Sequence, residues 1–194
     1  MSNGRIITAC ALTAALAAFP ATVPAAAAEP AATPSAALRD GAHDFDFNFG
    51  RWHTHIRRVL DPLTGGAHSI ELNGTVTVRK VWDGRAALEE IEADGPNGHW
   101  EGMTLFLYNP QAHQWSQTYV NSKSGVMNAP LIGAFGEGRG ELYSQETVDG
   151  RSILVRAEWS QITPDAHHFE EAYSEDGGRS WSPAFIASLT REGP

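Results

Sequence analysis

Between Gly50 and Arg191 the chain alternates apolar and polar residues, with turn-forming residues cutting it at short intervals. The clearest case is 68–82. There Ile70, Leu72, Gly74, Val76 and Val78 fall on one face, and Glu71, Asn73, Thr75, Thr77 and Arg79 on the other. Successive side chains of a strand point to opposite faces, whereas a helix repeats its apolar face three and four residues apart. Further strands are expected at 52–60, 85–93, 99–108, 115–119, 139–148, 151–162, 167–173 and 184–191. Asp83-Gly84, Asp94-Gly95-Pro96-Asn97-Gly98, Asn109-Pro110 and Asp149-Gly150 mark hairpins between them. In 99–108, Trp100, Thr104, Phe106 and Tyr108 share one face and Met103, Leu105 and Leu107 the other. Both faces of that strand are expected to be buried, the outer one under a loop or a partner.

Antiparallel strands of this number, joined mostly by hairpins, either close into a barrel or stack as a sandwich. The entry to the first strand favours closure. Phe45, Phe47 and Phe49 lead into Gly50-Arg51-Trp52, a Gly-x-Trp signature. With Gly102-Met103-Thr104-Leu105-Phe106-Leu107-Tyr108-Asn109-Pro110, a returning Trp115 and Phe169-Glu170-Glu171-Ala172-Tyr173-Ser174, it resembles the lipocalin-like (calycin) barrels of the DUF1579 type. These are small bacterial domains of mostly unassigned function. The resemblance implies an all-β, closed, up-and-down antiparallel barrel of about eight to ten strands. It also implies a short helical turn beneath the barrel, Trp52 sealing the closed end, and Arg191 packed over Trp52 as a cation–π lid. The turn Ser174-Glu175-Asp176-Gly177-Gly178-Arg179-Ser180-Trp181 resembles an Asp-box, in which Asp176 accepts backbone N–H groups and Trp181 packs beneath. One copy without a blade-length period excludes a propeller.

Ahead of this domain, expected at 41–194, residues 1–28 have the pattern of a secretory leader. Arg5 is its only charge, an apolar run spans 6–19, and Ala26-Ala27-Ala28 offers a cleavage site. Residues 29–40, rich in Pro and Ala, are expected to be a linker. Cys10 is the sole cysteine, so cleavage leaves none and excludes disulfides, thiolate nucleophiles and Cys-ligated metals. Losing Arg5 and no acid moves the net charge from −9 to −10. An acidic surface without a Lys/Arg cluster argues against nucleic acid and anionic membranes. The expected location is the periplasm or the medium of a bacterium, without membrane insertion.

The aromatic residues are the strongest functional signal. Trp100, Phe106, Tyr108, Trp115, Tyr119 and Trp159 fall on single faces of neighbouring strands, and six Trp is generous for this length. They either fill the core or, with Met127, Phe169 and Tyr173, line a pocket for a small apolar or aromatic molecule. The Gly-rich connection 121–136 is placed to flap over a barrel mouth. A rival reading makes the barrel a dry reaction chamber, as in lipocalin-like cyclases, isomerases and decarboxylases. In it, Glu171 or His167 is the acid/base beside Tyr119 or Tyr173. A third leaves a filled barrel with an interaction role. Glu89, Glu90, Glu92 and Glu170 are acids whose simpler explanation is a solvated outer face. His53 and His55 share a face, but the parity that points Trp52 inward points them out beside Arg57. His167 and His168 face opposite ways. No metal or cofactor is expected, and no nucleophile elbow, phosphate loop or dinucleotide fingerprint is present.

Overall fold

The computed structural model describes residues 39–148 and 150–193. The leader with its Ala28 cleavage site, Cys10, most of the linker, and Asp149 lie outside the described residues. Ten strands follow one another: β1 (Gly50–Val59), β2 (Ser69–Val81), β3 (Ala86–Gly95), β4 (Gly98–Asn109), β5 (Gln114–Asn121), β6 (Leu131–Gly136), β7 (Arg139–Val148), β8 (Arg151–Ser160), β9 (Ala166–Ser174) and β10 (Ser182–Arg191). Each pairs antiparallel with its sequence neighbours, and β1 pairs with β10, so the sheet is a closed up-and-down barrel. Closure gives every strand two neighbours, although the β5–β6 ladder is short, spanning Trp115–Gln117 against Leu131–Gly133. The expected fold class holds.

The seam register is Trp52 opposite Arg191, Thr54 opposite Leu189, and Ile56 opposite Ala187. Alternation along β1 puts Trp52, Thr54 and Ile56 inside and His53, His55 and Arg57 outside. A 3-10 turn, Asp46–Asn48, precedes β1 and plugs one end. Its aromatic lead-in fills that end: the Phe45 ring lies 4.6 Å from Phe106, 4.9 Å from Phe135, 5.1 Å from Trp115 and 5.5 Å from Trp159, centroid to centroid. Removing a ring so placed costs about 3–5 kcal/mol.

The polar handles of this cluster are satisfied by the plug and the residues before it. Trp52 Nε1 donates to the Asn48 carbonyl at 2.9 Å, and Trp115 Nε1 to the Gly41 carbonyl at 2.8 Å. Tyr108 Oη donates to Asp40 Oδ1 at 2.7 Å. Gly50 has φ +120°, and a Cβ there would meet Arg191 Nη1 at 2.8 Å. The glycine of the signature therefore admits a side chain from the last strand as well as a backbone turn.

Three local expectations are corrected. The outer face of β4 is uncovered: Met103, Leu105 and Leu107 are each about two-fifths exposed, and Ile132 and Tyr143 extend this apolar stripe on β6 and β7. Barrel curvature turns the stripe to solvent, and no loop of the described chain crosses it. The hairpin after β2 is a four-residue turn rather than a two-residue one, with Trp82 and Asp83 both at positive φ and Trp82 exposed. The Asn121–Gly136 connection is also less open than its composition suggests, because residues 131–136 form β6.

The Asp-box forms as expected. Asp176 Oδ1 accepts the backbone N–H groups of Arg179 and Ser180, each at 2.9 Å, and Asp176 Oδ2 accepts Ser180 Oγ at 2.7 Å. Ser174 Oγ donates to Asp176 Oδ1 at 2.8 Å. These bonds hold the Asp176 carboxyl well below the usual range.

Candidate functional site

Above the plug the barrel holds a cavity of about 260 Å³. Its middle is aromatic. Trp100 from β4, Tyr119 from β5, Trp159 from β8, Phe169 and Tyr173 from β9, and Phe185 from β10 form the walls, with Ile56, Val76, Ile91 and Leu131 between them. Trp159 and Phe169 pack at 4.7 Å, and Trp100 stacks on Tyr119 at 6.3 Å. Gly102 makes this possible: a Cβ there would lie 2.8 Å from the Tyr119 ring and 3.2 Å from Trp100. Small size, rather than backbone conformation, is what this position requires.

The mouth is polar and charged. Arg58, Asn121, Asn128 and Glu146 ring it, with Glu171 and Tyr173 just inside. Tyr173 Oη donates to Glu171 Oε1 at 2.9 Å. Burial pushes the Glu171 carboxyl above the usual range, and burial followed by the Glu171 charge pushes the Tyr173 phenol up. Burial also raises Tyr119 to about 12, so it is a neutral hydrogen-bonding group at physiological pH. Residue Asn128 is tied to the wall by its backbone N–H, which donates to the Tyr119 carbonyl at 2.9 Å.

The floor is polar too, and it is fully enclosed. Glu89 on β3 is 4% exposed and faces inward with Ala87, Ile91 and Ala93. Opposite it on β4 stands Thr104. Asn48 Nδ2, from the plug, donates to Glu89 Oε2 at 3.3 Å. Desolvation dominates, however, and raises the Glu89 carboxyl to about 7 against the pull of Asn48 and Thr104. Thr54 and Gln117 complete this level of the cavity. Gln117 Oε1 accepts Trp159 Nε1 at 3.0 Å, which fixes its amide.

The residues singled out from the sequence divide between two places. Trp100, Tyr119, Trp159, Phe169, Tyr173 and Glu171 line the cavity. Phe106, Tyr108 and Trp115 are buried at the plugged end and belong to the core. Met127 is exposed on the 122–130 loop and does not line the cavity. His167 is buried at 2% exposure at the plugged end, below the cavity, its ring 4.4 Å from Trp52 and 5.1 Å from Phe47. Neither ring nitrogen has a hydrogen-bond partner, and desolvation lowers its pKa to about 3. A neutral, aromatic-caged imidazole off the cavity surface is not placed to exchange protons with a bound molecule. Gly50, Trp52, Asp176, Trp181 and Arg191 all lie in the scaffold around the cavity. Among the described residues no group of three or more His, Cys, Asp or Glu side chains is placed to hold a metal ion.

Glu89 is the residue that the sequence mentions without selecting. Its inward parity is visible in the Ala87-x-Glu89-x-Ile91-x-Ala93 spacing, but Glu90 and Glu92 blur it. Arg58, Thr54 and Gln117 follow the inward parity of Trp52 and Trp115 without carrying any distinguishing motif.

No family model matches the chain, and no curated protein matches it. Among solved structures it is similar to the S-type phycobiliprotein lyase CPES from Guillardia theta. That likeness has a TM-score of 0.52 at 15% identity, covering 78% of this chain and 92% of that one. A de novo designed fluorescence-activating β-barrel matches with a TM-score of 0.43 at 11% identity, covering 80% of this chain and 100% of that one. EF1p2_mFAP2b bound to DFHBI matches at 0.44 and 9%, covering 78% and 99%. At 15% identity the likeness to the lyase is one of fold alone.

Proposed function

We propose that this chain is an exported lipocalin-like protein that binds a small, mainly apolar or aromatic molecule inside its barrel. The observation that carries the reading is the cavity of about 260 Å³, walled by six aromatic rings and open to solvent at one end. An aromatic middle between a polar floor and a charged mouth has the character of a binding site for a small molecule with a flat apolar body. A barrel serving stability alone would fill that volume with side chains, as the plugged end does. The lyase bears on the fold; the ligand class is read from the cavity.

We place the chain with the DUF1579-type barrels of bacteria on the motifs that carry that resemblance. Its leader is expected to be cut near Ala28 in the periplasm or on the way to the medium. Intact-mass measurement of the periplasmic fraction tests this, and a mass that retains residues 1–28 overturns it. For the ligand, native mass spectrometry of protein from its own host is expected to show a retained small molecule. A bare protein, with Trp fluorescence unmoved by aromatic metabolites and lipids, would refute binding.

The enzymatic alternative keeps one specific support, the buried carboxyls Glu89 and Glu171 in a single cavity. It predicts that a retained molecule is converted on incubation, and that Glu89→Gln or Glu171→Gln traps it unchanged. His167 has no part in that scheme.

A further inference from the structure

The plugged end of the cavity has a polar surface that its own side chains do not saturate. A carboxyl offers about four acceptor positions. Glu89 uses part of that capacity on one long bond from Asn48 Nδ2 at 3.3 Å and on Thr104. Thr54, 4% exposed and lining the same cavity, has a hydroxyl with no partner among the described residues. Asn48 Oδ1, behind Glu89, is likewise without one. Gln117 is committed through its carbonyl to Trp159. Unused acceptor capacity therefore remains on this surface at Glu89 and Thr54. A buried polar group left unpaired carries a free-energy penalty that a matching ligand group relieves.

Resting on the binding reading above, we infer that this floor is a seat for the hydrogen-bond-donating end of a flat aromatic molecule. A phenolic O–H or a ring N–H sits on Glu89 and Thr54, and the ring lies between Trp159 and the Trp100–Tyr119 stack. The shape of the site supports this orientation. Aromatic walls rise directly from the polar floor, so a planar body with one polar end satisfies both at once. The charges support it too. An anionic head would meet the Glu89 carboxyl at the floor, whereas Arg58, the cation of the cavity lining, stands at the mouth. A molecule with a carboxylate is thus expected to keep that group at the mouth near Arg58, since moving an anion to the enclosed floor costs its hydration.

The test compares two probes of nearly the same shape, 2-naphthol and 2-methoxynaphthalene. Both are titrated into the full chain while Trp fluorescence is followed, with calorimetry as a second readout. Methylation removes only the donor. The wild type is expected to prefer 2-naphthol by about tenfold or more, the value of one good buried hydrogen bond to a charged or polar partner. In Glu89→Leu that preference falls to near parity, through loss of 2-naphthol affinity while 2-methoxynaphthalene is held as well as before. Thr54→Val, on a different strand, reduces it part of the way. Equal affinity of the wild type for both probes overturns the inference and leaves the binding reading standing. So does an undiminished preference in both variants. If neither probe binds, the binding reading and the inference fail together. A thermal melt of each variant confirms a folded barrel, and Thr54→Val serves alone should Glu89→Leu not fold.

Discussion

The guanidinium of Arg191 lies 4.0 Å above the ring of Trp52, and the two residues are also register partners across the seam between β1 and β10. The same guanidinium donates to the carbonyls of Pro164 at 2.7 Å, Phe49 at 3.0 Å and Phe47 at 3.1 Å. One side chain thus ties the last strand to the plug, to the first strand and to the β8–β9 connection. Arg191→Met keeps the apolar stem but leaves three carbonyls unpaired. It is expected to lower stability by about 2–4 kcal/mol in urea unfolding. Arg191→Lys should recover only a minor part, since a single ammonium cannot reach all three. Equal stability of Met and wild type would refute the clamp.

Two buried titratable groups, Glu89 and His167, make opposite contributions to stability as pH changes. Glu89 has a folded pKa of about 7 against an ordinary 4.5, so the folded state keeps its proton longer. Its contribution falls as pH rises from about 4.5 to about 7 and is level beyond. His167 has a folded pKa of about 3 against 6.5, so the unfolded state takes the proton first, and stability falls as pH drops through that interval. Between 4.5 and 6.5 the two slopes oppose each other. Glu89→Gln is expected to gain up to about 3 kcal/mol over wild type above neutrality and little near pH ~4. His167→Leu should do the reverse, gaining most in acid. Denaturation midpoints across pH check both, and a pH-independent difference in either variant would refute the assignment.

Gly102→Ala places a methyl group where the Tyr119 ring now lies. Tyr119 has to swing into the cavity to make room. The expected cost is roughly 1–2 kcal/mol of stability, as for other overpacked sites. Probe affinity should drop further than stability alone explains. Titration of 2-naphthol into a variant that retains a wild-type circular dichroism spectrum measures this.

Replacing Asp176 by Ala removes the acceptor for the Arg179 and Ser180 amides and for the Ser174 and Ser180 hydroxyls. Hydrogen exchange at amides 179 and 180 should accelerate while β3 to β5 retain their protection. The hairpin is held by local bonds, and the barrel interior does not depend on them.

Most strand positions were legible because one face of the strand is buried and a period of two marks it; β6 (Leu131–Gly136), short and Gly-rich, was read as part of a connection. The Phe45–Trp52 entry and Arg191 were legible through a resemblance to barrels sealed by a Gly-x-Trp signature and a late basic residue. The division of the aromatic set between plug and cavity was not legible. Parity says that Phe106 and Trp159 point inward, but the height of each along the barrel depends on strand tilt and on where Phe45 inserts. Glu89 was hidden for a related reason. Its partner Asn48 lies 41 residues away and comes from the plug, outside any strand pattern. The outer stripe Met103, Leu105 and Leu107 was read as covered by a loop or a partner, and no loop of the described residues covers it; hydrophobicity reports what a surface prefers and does not name its cover.

The pairing of Trp52 with Arg191 has a temporal side as well. The barrel closes between the first strand and the last, so its final hydrogen-bonded seam joins residues from opposite ends of the domain. Until β10 is available, β1 and β9 each present a bare edge, and Trp52 lacks its cover. A chain emerging from a ribosome or a pore can assemble hairpins from β2 onward by short-range contacts. It cannot complete the cylinder until β10 is free, because loop closure from β1 to β10 must precede the contacts that stabilise the seam. The seam is therefore the contact of longest sequence separation in the barrel, and it depends on a strand that the other nine cannot replace.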